Sequence, residues 1–517
     1  MLKPGTAIDV CGTRFTEKLL SLLKEAVSST AGEPVFGPAQ FSRACFAEVA
    51  SFARARFTGD ASFAGAQFTG TASFEDASFS QRADFTGARF QEAALLRGLT
   101  VTGDTTFMTA KFDGTADFTA ATFEHDAVLN EATFAGSVLL DHASFHANAR
   151  FANTRFSTAS LLGPVFVGNG LFLDAAKFER NATITARASA FSAEHVSFAG
   201  ATLRIGHADV CLDNLTSTEP LTIIGASREL AAIGDVSARA SAGIRSTEPA
   251  PALLSLAGVD ASHLVLVDVD LSRCRFADAF NLDKLQFEGS QCRFADPPRP
   301  RGWRRASPPT RRQMIAEELD WRTKRRRRLA WQPRRHSSPA LDPERILTIY
   351  RQLRKAQEDA KNEPGAADFY YGEMEMRRHA STTPAAEKLI LVCYWAVSGY
   401  GLRAIRALWA LTVTLALSTV AFATFGFGTT QAIRYVPIPA AHPAIAQAYQ
   451  QVTIAGPRPG WLNAFFYSLH SSTSLLSDSQ PNLPLTSGGD TIHIALKLLG
   501  PVFIGLAILA VRSRIKR

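Results

Sequence analysis

Phenylalanine stands at positions 41, 46, 52, 57, 63, 68, 74, 79, 85 and 90. Steps of five and six alternate, so the true period is 11. The register then holds through Leu96, Phe107, Phe118, Leu129, Leu140, Phe151 and Leu162 in one position, and through Val101, Phe112, Phe123, Phe134, Phe145 and Phe156 in the other. Two residues ahead of most of them is a small residue, as at Ala55, Ala61, Ala66, Ala72 and Ala77. A helix cannot use this pattern, because positions five apart lie about 140° apart around its axis at about 100° per residue. A flat strand cannot either, because a step of five sends successive rings to opposite faces. The pattern works if the chain turns a corner every five or six residues, so that each ring and its small neighbour face one axis. Gly59, Gly65, Gly70, Gly87, Gly98, Gly103 and Gly114 would relax those corners. If four sides make a coil, a coil is 22 residues. Stacked at about 4.8 Å, the coils of residues 41–295 form a rod of about 55 Å.

The pattern changes on either side of this region. Thr16 to Ser29 reads as an amphipathic helix that caps the open end of the rod within a 1–40 leader. Residues 296–340 form a Pro- and Arg-rich linker with a short helix around 310–330. Asp342 then Pro343 mark a helix start, followed by apolar Ile346, Ile349, Tyr350, Leu353 and Ala356 at helical spacing. Pro364-Gly365 stops it, and a second helix completes a hairpin within 341–388. On that second helix, Glu373 and Glu375 beside Arg377 and Arg378 read as surface ion pairs. In 389–517 the spacing gives way to continuous apolar runs. Residues 389–399 predict an interfacial helix, and 407–427 a span of 21 uncharged residues. Residues 492–511 predict a second span, with Lys497 near enough to one end to snorkel. Between them, 461–478 reads as a short apolar helix with a Ser/Thr-rich end.

Charge sharpens this division. Residues 40–295 hold 20 basic and 28 acidic side chains, whereas residues 296–517 hold 31 basic and 15 acidic. The basic excess peaks at Lys324, Arg325, Arg326, Arg327 and Arg328. That run is either a solvated linker or a contact with anionic lipid headgroups, each basic residue contributing about 1 kcal/mol near such a surface. Nucleic acid is the third choice, since no aromatics interleave the charges. Arg403 and Arg406 precede the first span, and Arg512, Arg514, Lys516 and Arg517 follow the second. The stretch 428–491 between them has only Arg434 and Arg458 as basic residues. The positive-inside rule puts both termini in the cytoplasm, as a multi-pass protein of the plasma (inner) membrane.

Stretches such as ASFARARFTGDASFAGAQFTGTASF resemble the Phe-rich variant of the pentapeptide-repeat proteins, whose repeat reads roughly A-x-[LF]-x-x. The pattern is dense from about 41 to 190, fades over 191–250 and returns at 265–289. The resemblance implies a right-handed quadrilateral β-helix, here followed by an α-helical region and a two-span α-helical membrane domain. The hairpin looks like a single tetratricopeptide unit, and it resembles the segment after the repeats in multidomain bacterial members. The segment 461–478 resembles the pore half of two-span potassium channels, whose motif is T-x-x-T-V-G-Y-G-D. Ser471, with Ser474 or Thr473, takes the threonine places, and Asp478 the aspartate place. Leu475, Leu476 and Ser477 stand where the filter glycines would be. The channel resemblance implies a pore lined by Ser471, Ser472, Thr473, Ser474 and Asp478 that does not select potassium. The plainer reading is a re-entrant or surface loop.

Six cysteines without a CxxC pair exclude a disulfide scaffold and a cysteine zinc module, and fit a reduced compartment. No nucleotide-binding, metalloprotease or serine-hydrolase motif is present. No apolar run with a cleavage site opens the sequence, so no secretory signal is expected. The first expectation is therefore a non-enzymatic, cofactor-free scaffold. Its partners are membrane lipids, an unknown cytoplasmic protein bound by the solenoid, and further copies of itself. A channel-like oligomer regulated by the solenoid is the second expectation. The third is a mimic of duplex DNA that binds a topoisomerase, as some pentapeptide-repeat proteins bind gyrase. A net −8 spread over about 55 Å is far thinner than one charge per about 1.7 Å of duplex, so nucleic-acid-like partners rank last.

Overall fold

In the computed structural model, residues 3–30, 32–226, 230, 250–289, 292–297, 312–325, 341–429, 431–437, 449–455, 458–473 and 483–515 are described. Each side of the first coils is an in–out–in triplet: Ala50 inward, Ser51 outward, Phe52 inward, then Ala55, Arg56 and Phe57 likewise. The alternation is that of any strand, cut short at each corner. Ala72 pairs in parallel with Ala50 on one side and Ala94 on the other, so a coil is 22 residues. One ladder runs through eleven strands from Ile8–Asp9 to Ala252–Ser255. At about 4.8 Å per strand this is a rod of about 50 Å. The ladder begins at Ile8, ahead of the 41 expected from the repeat alone.

The axis is filled by rings in columns. Phe15, Phe46, Phe68, Phe90, Phe112, Phe134, Phe156, Phe178 and Phe198 stack one above another, with centroids 4.5 to 5.2 Å apart. Neighbouring columns meet edge to face, as Phe74 and Phe85 do at 5.3 Å. The coil rise therefore dictates the ring spacing, and offset stacking tolerates it. The alanines two positions ahead are buried and leave room for the rings.

The expected corner glycines divide into two kinds. After Phe52, Phe63 and their equivalents, the corner is a tight turn with the Ala55 N–H donating to the Phe52 carbonyl at 3.0 Å. Its third residue is left-handed: Gly65, Gly87 and Gly98, but also Arg54, Asp76, Thr109 and Ala120. After Phe57 and its equivalents, the corner presses on the coil before it. There Gly59, Gly70, Gly103 and Gly114 are needed for closeness, since a Cβ on Gly103 would sit 2.5 Å from the Gln81 carbonyl carbon.

The cross-section changes at Ser160–Val167. This one strand pairs with Leu139 and also with Ser144 and Phe145, which lie on two different sides of the preceding coil. Two sides have fused into one, and the quadrilateral becomes three-sided. Later coils keep the long side, as Ala182–Arg187, Ala201–Gly206 and Leu221–Gly225. The step from Ala182 to Ala201 is 19 residues and from Phe178 to Phe198 is 20. Losing a corner shortens the repeat, so the 11-residue pattern fades near 190 while the solenoid continues.

Helix α1 (Glu17–Ala26) is capped by the Thr16 hydroxyl, which accepts from the Leu19 N–H. It replaces one side of the first coil and touches the strands Arg14–Phe15 and Ala50–Ser51. Leu20 is buried, whereas Leu19 and Leu22 stay exposed. At the far end stand α2 (Ala316–Arg325), α3 (Pro343–Asp359) and α4 (Glu363–His379). Pro343 opens α3 as expected, but the Asp342 side chain makes no capping bond. Pro364 lies in the first turn of α4 and opens it, and α3 already ends at Asp359, which corrects the expectation that Pro364-Gly365 stops the first helix. Phe294 stacks on Phe276 of the solenoid at 6.0 Å and meets Phe369 of α4 edge-on at 4.9 Å, which seals the rod.

The chain divides into two compact units, Met1–Glu373 and Met374–Arg517. The second holds α5 (Ala385–Ser398), α6 (Ala404–Ala421) with a π-turn at Phe422–Gly426, α7 (Trp461–Thr473) and α8 (Ser487–Ile515). Phe422, Phe427, Ala464, Tyr467 and Leu496 form its core. An antiparallel pair, Gln431–Pro437 with Tyr449–Ala455, lies where no element was expected.

Candidate functional site

Three features offer chemistry or contact: the outer wall of the solenoid, the polar seal at its end, and the helical unit. The wall is set by the ladder, which puts residues about 22 apart in sequence side by side. Arg89 grips Asp113 at 2.9 Å, Arg97 grips Asp117 at 3.0 Å and Arg273 grips Asp209 at 2.7 Å. Arginine thus interleaves the carboxylates, and the wall is not a continuous acidic stripe of the kind a duplex mimic needs. Asp117 is the most buried of these acids, and Thr119 and Arg97 hold its carboxyl below the usual range against burial, the largest single influence.

The donor atoms of Glu194, Cys211 and Asp213 lie within 4.8 Å of one another, so these three residues are the group that could hold a metal. The Cys211 thiol donates to Glu194 Oε1 at 3.4 Å, and burial, with the two carboxylates, pushes it up to about 12. Asp213 Oδ1 is buried with no hydrogen-bond partner. A metal held here would have to displace the thiol proton, so its binding would strengthen as pH rises.

The seal is polar and closed. Glu317 Oε1 accepts from the backbone N–H groups of Phe276 at 2.5 Å and Ala277 at 2.9 Å, and Oε2 has no hydrogen-bond partner. Burial pushes this carboxyl up to about 7. Beside it, Glu318 is held by Arg312, by Tyr350 and by Arg322 at 2.7 Å. Glu373 accepts from Arg351 and Arg354 of α3, each at 3.0 Å. In the second unit Glu375 accepts from Arg378 at 2.6 Å and from the Tyr400 hydroxyl at 3.1 Å. Glu373 and Glu375 are both buried, which corrects their assignment as surface pairs. They tie helices together and touch no cleft.

The residues singled out from sequence fall as follows. Ser471 and Ser472 are buried. Ser471 Oγ lies 3.1 Å from His493 Nδ1 on α8, and the Ser472 hydroxyl donates to the Leu469 carbonyl at 2.8 Å. Thr473 is exposed and bonds back to its own helix. Ser474 and Asp478 lie outside the described residues, as do Arg326, Arg327 and Arg328. Lys324 and Arg325 end α2, with Lys324 exposed. Sequence reasoning missed His493, which Tyr467 also approaches at 3.4 Å. The usable signal was a histidine in an apolar run facing Tyr467 and Ser471, which are four apart on one helix face. These serines pack between helices of a single chain: a Cβ on Gly500 of α8 would lie 2.4 Å from the Ser472 carbonyl oxygen.

Both candidate spans are largely uncovered. Ile405–Gly426 and Ser487–Ile508, each 22 residues, have mean hydropathies of 1.8 and 1.9 and are 11% and 17% buried. Leu408, Trp409, Val413 and Leu417 on α6, with Ile494, Leu498 and Val502 on α8, point outward.

Short parallel strands stacked around a ring-filled axis define a β-solenoid with helical additions. Over residues 35–78 and 65–107 the chain matches the family model for pentapeptide repeats (9 copies), and it carries a pentapeptide-repeat solenoid. Comparison with curated proteins and with solved structures gave no match. The likeness of 461–478 to a channel pore finds no support in these comparisons.

Proposed function

We propose that this protein is a membrane-anchored scaffold: a right-handed pentapeptide-repeat solenoid that binds a protein partner, held at a bilayer by α6 and α8. The observation that carries the anchor is the outward apolar surface of these helices. A core helix of a soluble protein would be mostly covered. A 22-residue helix is about 33 Å long, enough for a hydrocarbon core of about 30 Å. Arg403 and Arg406 before one span, and Arg512 and Arg514 after the other, favour both ends on the cytoplasmic face. The basic run from Lys324 to Arg328 has the charge to add an attraction to anionic headgroups. A binding role without catalysis is supported by the ion-paired wall and the sealed end, whose acids are occupied in holding the fold.

Fractionation tests the anchor. The full chain should stay with membranes through alkaline carbonate. A chain ending at Ser381 should be released, or remain only through a salt-sensitive association. Recovery of the full chain in the soluble fraction without detergent would overturn the reading.

A further inference from the structure

The two ends of the solenoid are finished differently, and one strand edge is left open. At the start, α1 lies against Ala50–Ser51 and covers its edge. At the other end, Gln286–Glu288 pairs through Val265, Leu266 and Val267 with the preceding coil. Its opposite edge has no strand partner among the described residues. Proteins usually block such an edge, because its unpaired backbone groups invite another strand. Here a groove of about 550 Å³ opens between this strand and the C-terminal end of α3.

The floor of the groove is apolar, from Leu285, Phe287 and Ala356. Its rim is acidic. Asp283 is paired with Lys355 at 2.7 Å, and Lys355 also feels Asp359; of the residues lining the groove, the exposed Glu288 and Asp359 then face the one cation Lys284. A strand laid along the edge would put alternate side chains towards Phe287 and the others towards the rim. We propose that this groove takes an extended peptide with alternating basic and apolar residues, added as a strand to Gln286–Glu288. The proposal supplies a partner class for the scaffold reading, yet it is independent of membrane anchoring.

The test uses the full chain in detergent and a fluorescein-labelled peptide, Lys-Val-Lys-Val-Lys-Val-Lys, read by anisotropy. Saturable binding is expected, with at least about tenfold weaker affinity for the double variant Glu288→Lys/Asp359→Lys, a change of about 1.4 kcal/mol. Both positions are exposed, so an unchanged far-UV spectrum should show that the variant folds. The peptide should also lose binding when alternate amides are N-methylated in one of the two possible phases, a readout that charge attraction alone would not move. Equal binding by both methylated forms, or by a Glu-Val peptide, would overturn the proposal. So would a self-associated chain that Glu288→Lys/Asp359→Lys dissociates, since the groove would then hold a second copy. None of these outcomes depends on whether the chain resists carbonate extraction.

Discussion

The four-sided and three-sided stretches of the solenoid share a ladder, a rise and an apolar axis, yet they read differently in sequence. Between Ala50 and Leu139 every side is two residues of strand and a corner, so Phe recurs on a fixed beat. From Ser160 onward one side is a straight strand with inward Ala182, Ile184 and Ala186, or Ala201, Leu203 and Ile205. Branched aliphatics at period two then replace aromatic rings at period 11. The difference teaches that the repeat reports the corners, while the fold is carried by the ladder and the filled axis.

The largest expected effect breaks the axis. Phe118→Asp puts an unpaired charge among Phe107 and Phe112 at a buried position. It should cost several kcal/mol and remove the cooperative melt followed by far-UV circular dichroism. Leu203→Asp should do the same in the three-sided stretch. Thr119→Asp, on the outer face, loses the hydroxyl that holds Asp117 and sets a second carboxylate beside it, and should cost about 1–2 kcal/mol, well short of Phe118→Asp. Equal tolerance at 118 and 119 would remove the inward register on which the comparison stands.

A pH experiment probes the sealed end of the three-sided stretch. Glu317 has its carboxyl raised to about 7 by burial, from 4.5 in the unfolded chain. The native state therefore binds the extra proton between these values, and this group adds stability as pH falls from about 7 to about 4.5. The unfolding free energy from denaturant titrations should rise over that window by an amount on the order of 1 to 3 kcal/mol, and Glu317→Gln should flatten the slope. An unchanged slope in the variant would show that other groups carry it.

The corners separate next. Gly103→Ala drives a Cβ against the Gln81 backbone and should cost about 1–3 kcal/mol. Gly98→Ala meets the movable end of the Asp76 side chain at a left-handed position that Ala120 occupies one coil later. It should cost about 1–2 kcal/mol at most. Thermal midpoints falling further for Gly98 than for Gly103 would reverse this assignment. The smallest effect is expected on the wall: Arg89→Ala removes an exposed pair with Asp113 and should change stability by less than about 1 kcal/mol.

The solenoid was legible where chemistry repeats on a short period. The inward Phe and Ala positions and the opening helix followed from spacing, and the 22-residue coil from spacing together with the four sides that the family resemblance implied. The fusion of two sides at Ser160–Val167 was hidden because a straight strand leaves no corner to count. The acids of the seal were hidden for another reason. Glu373 and Glu375 look like surface residues along their own helix, and only packing from α3 and Tyr400 covers them. The strands Gln431–Pro437 and Tyr449–Ala455 alternate only briefly, at Ile433-Arg434-Tyr435 and Gln451-Val452-Thr453-Ile454, a signal too short to announce them. In the helical unit the apolar runs announced the elements but not their partners, so nothing in the sequence alone set His493 beside Ser471.

The Phe columns also fix how the molecule interacts with light. All six Trp and all eight Tyr lie at or beyond residue 303, so residues 1–297 hold phenylalanine as their only near-ultraviolet benzenoid ring. Excitation near 295 nm therefore sees only residues from 303 onward, and the stacked rings stay dark. The weak phenylalanine fine structure follows the axis of the rod. Two optical windows on one unlabelled chain thus report the ring-filled axis and the tryptophan-bearing remainder separately.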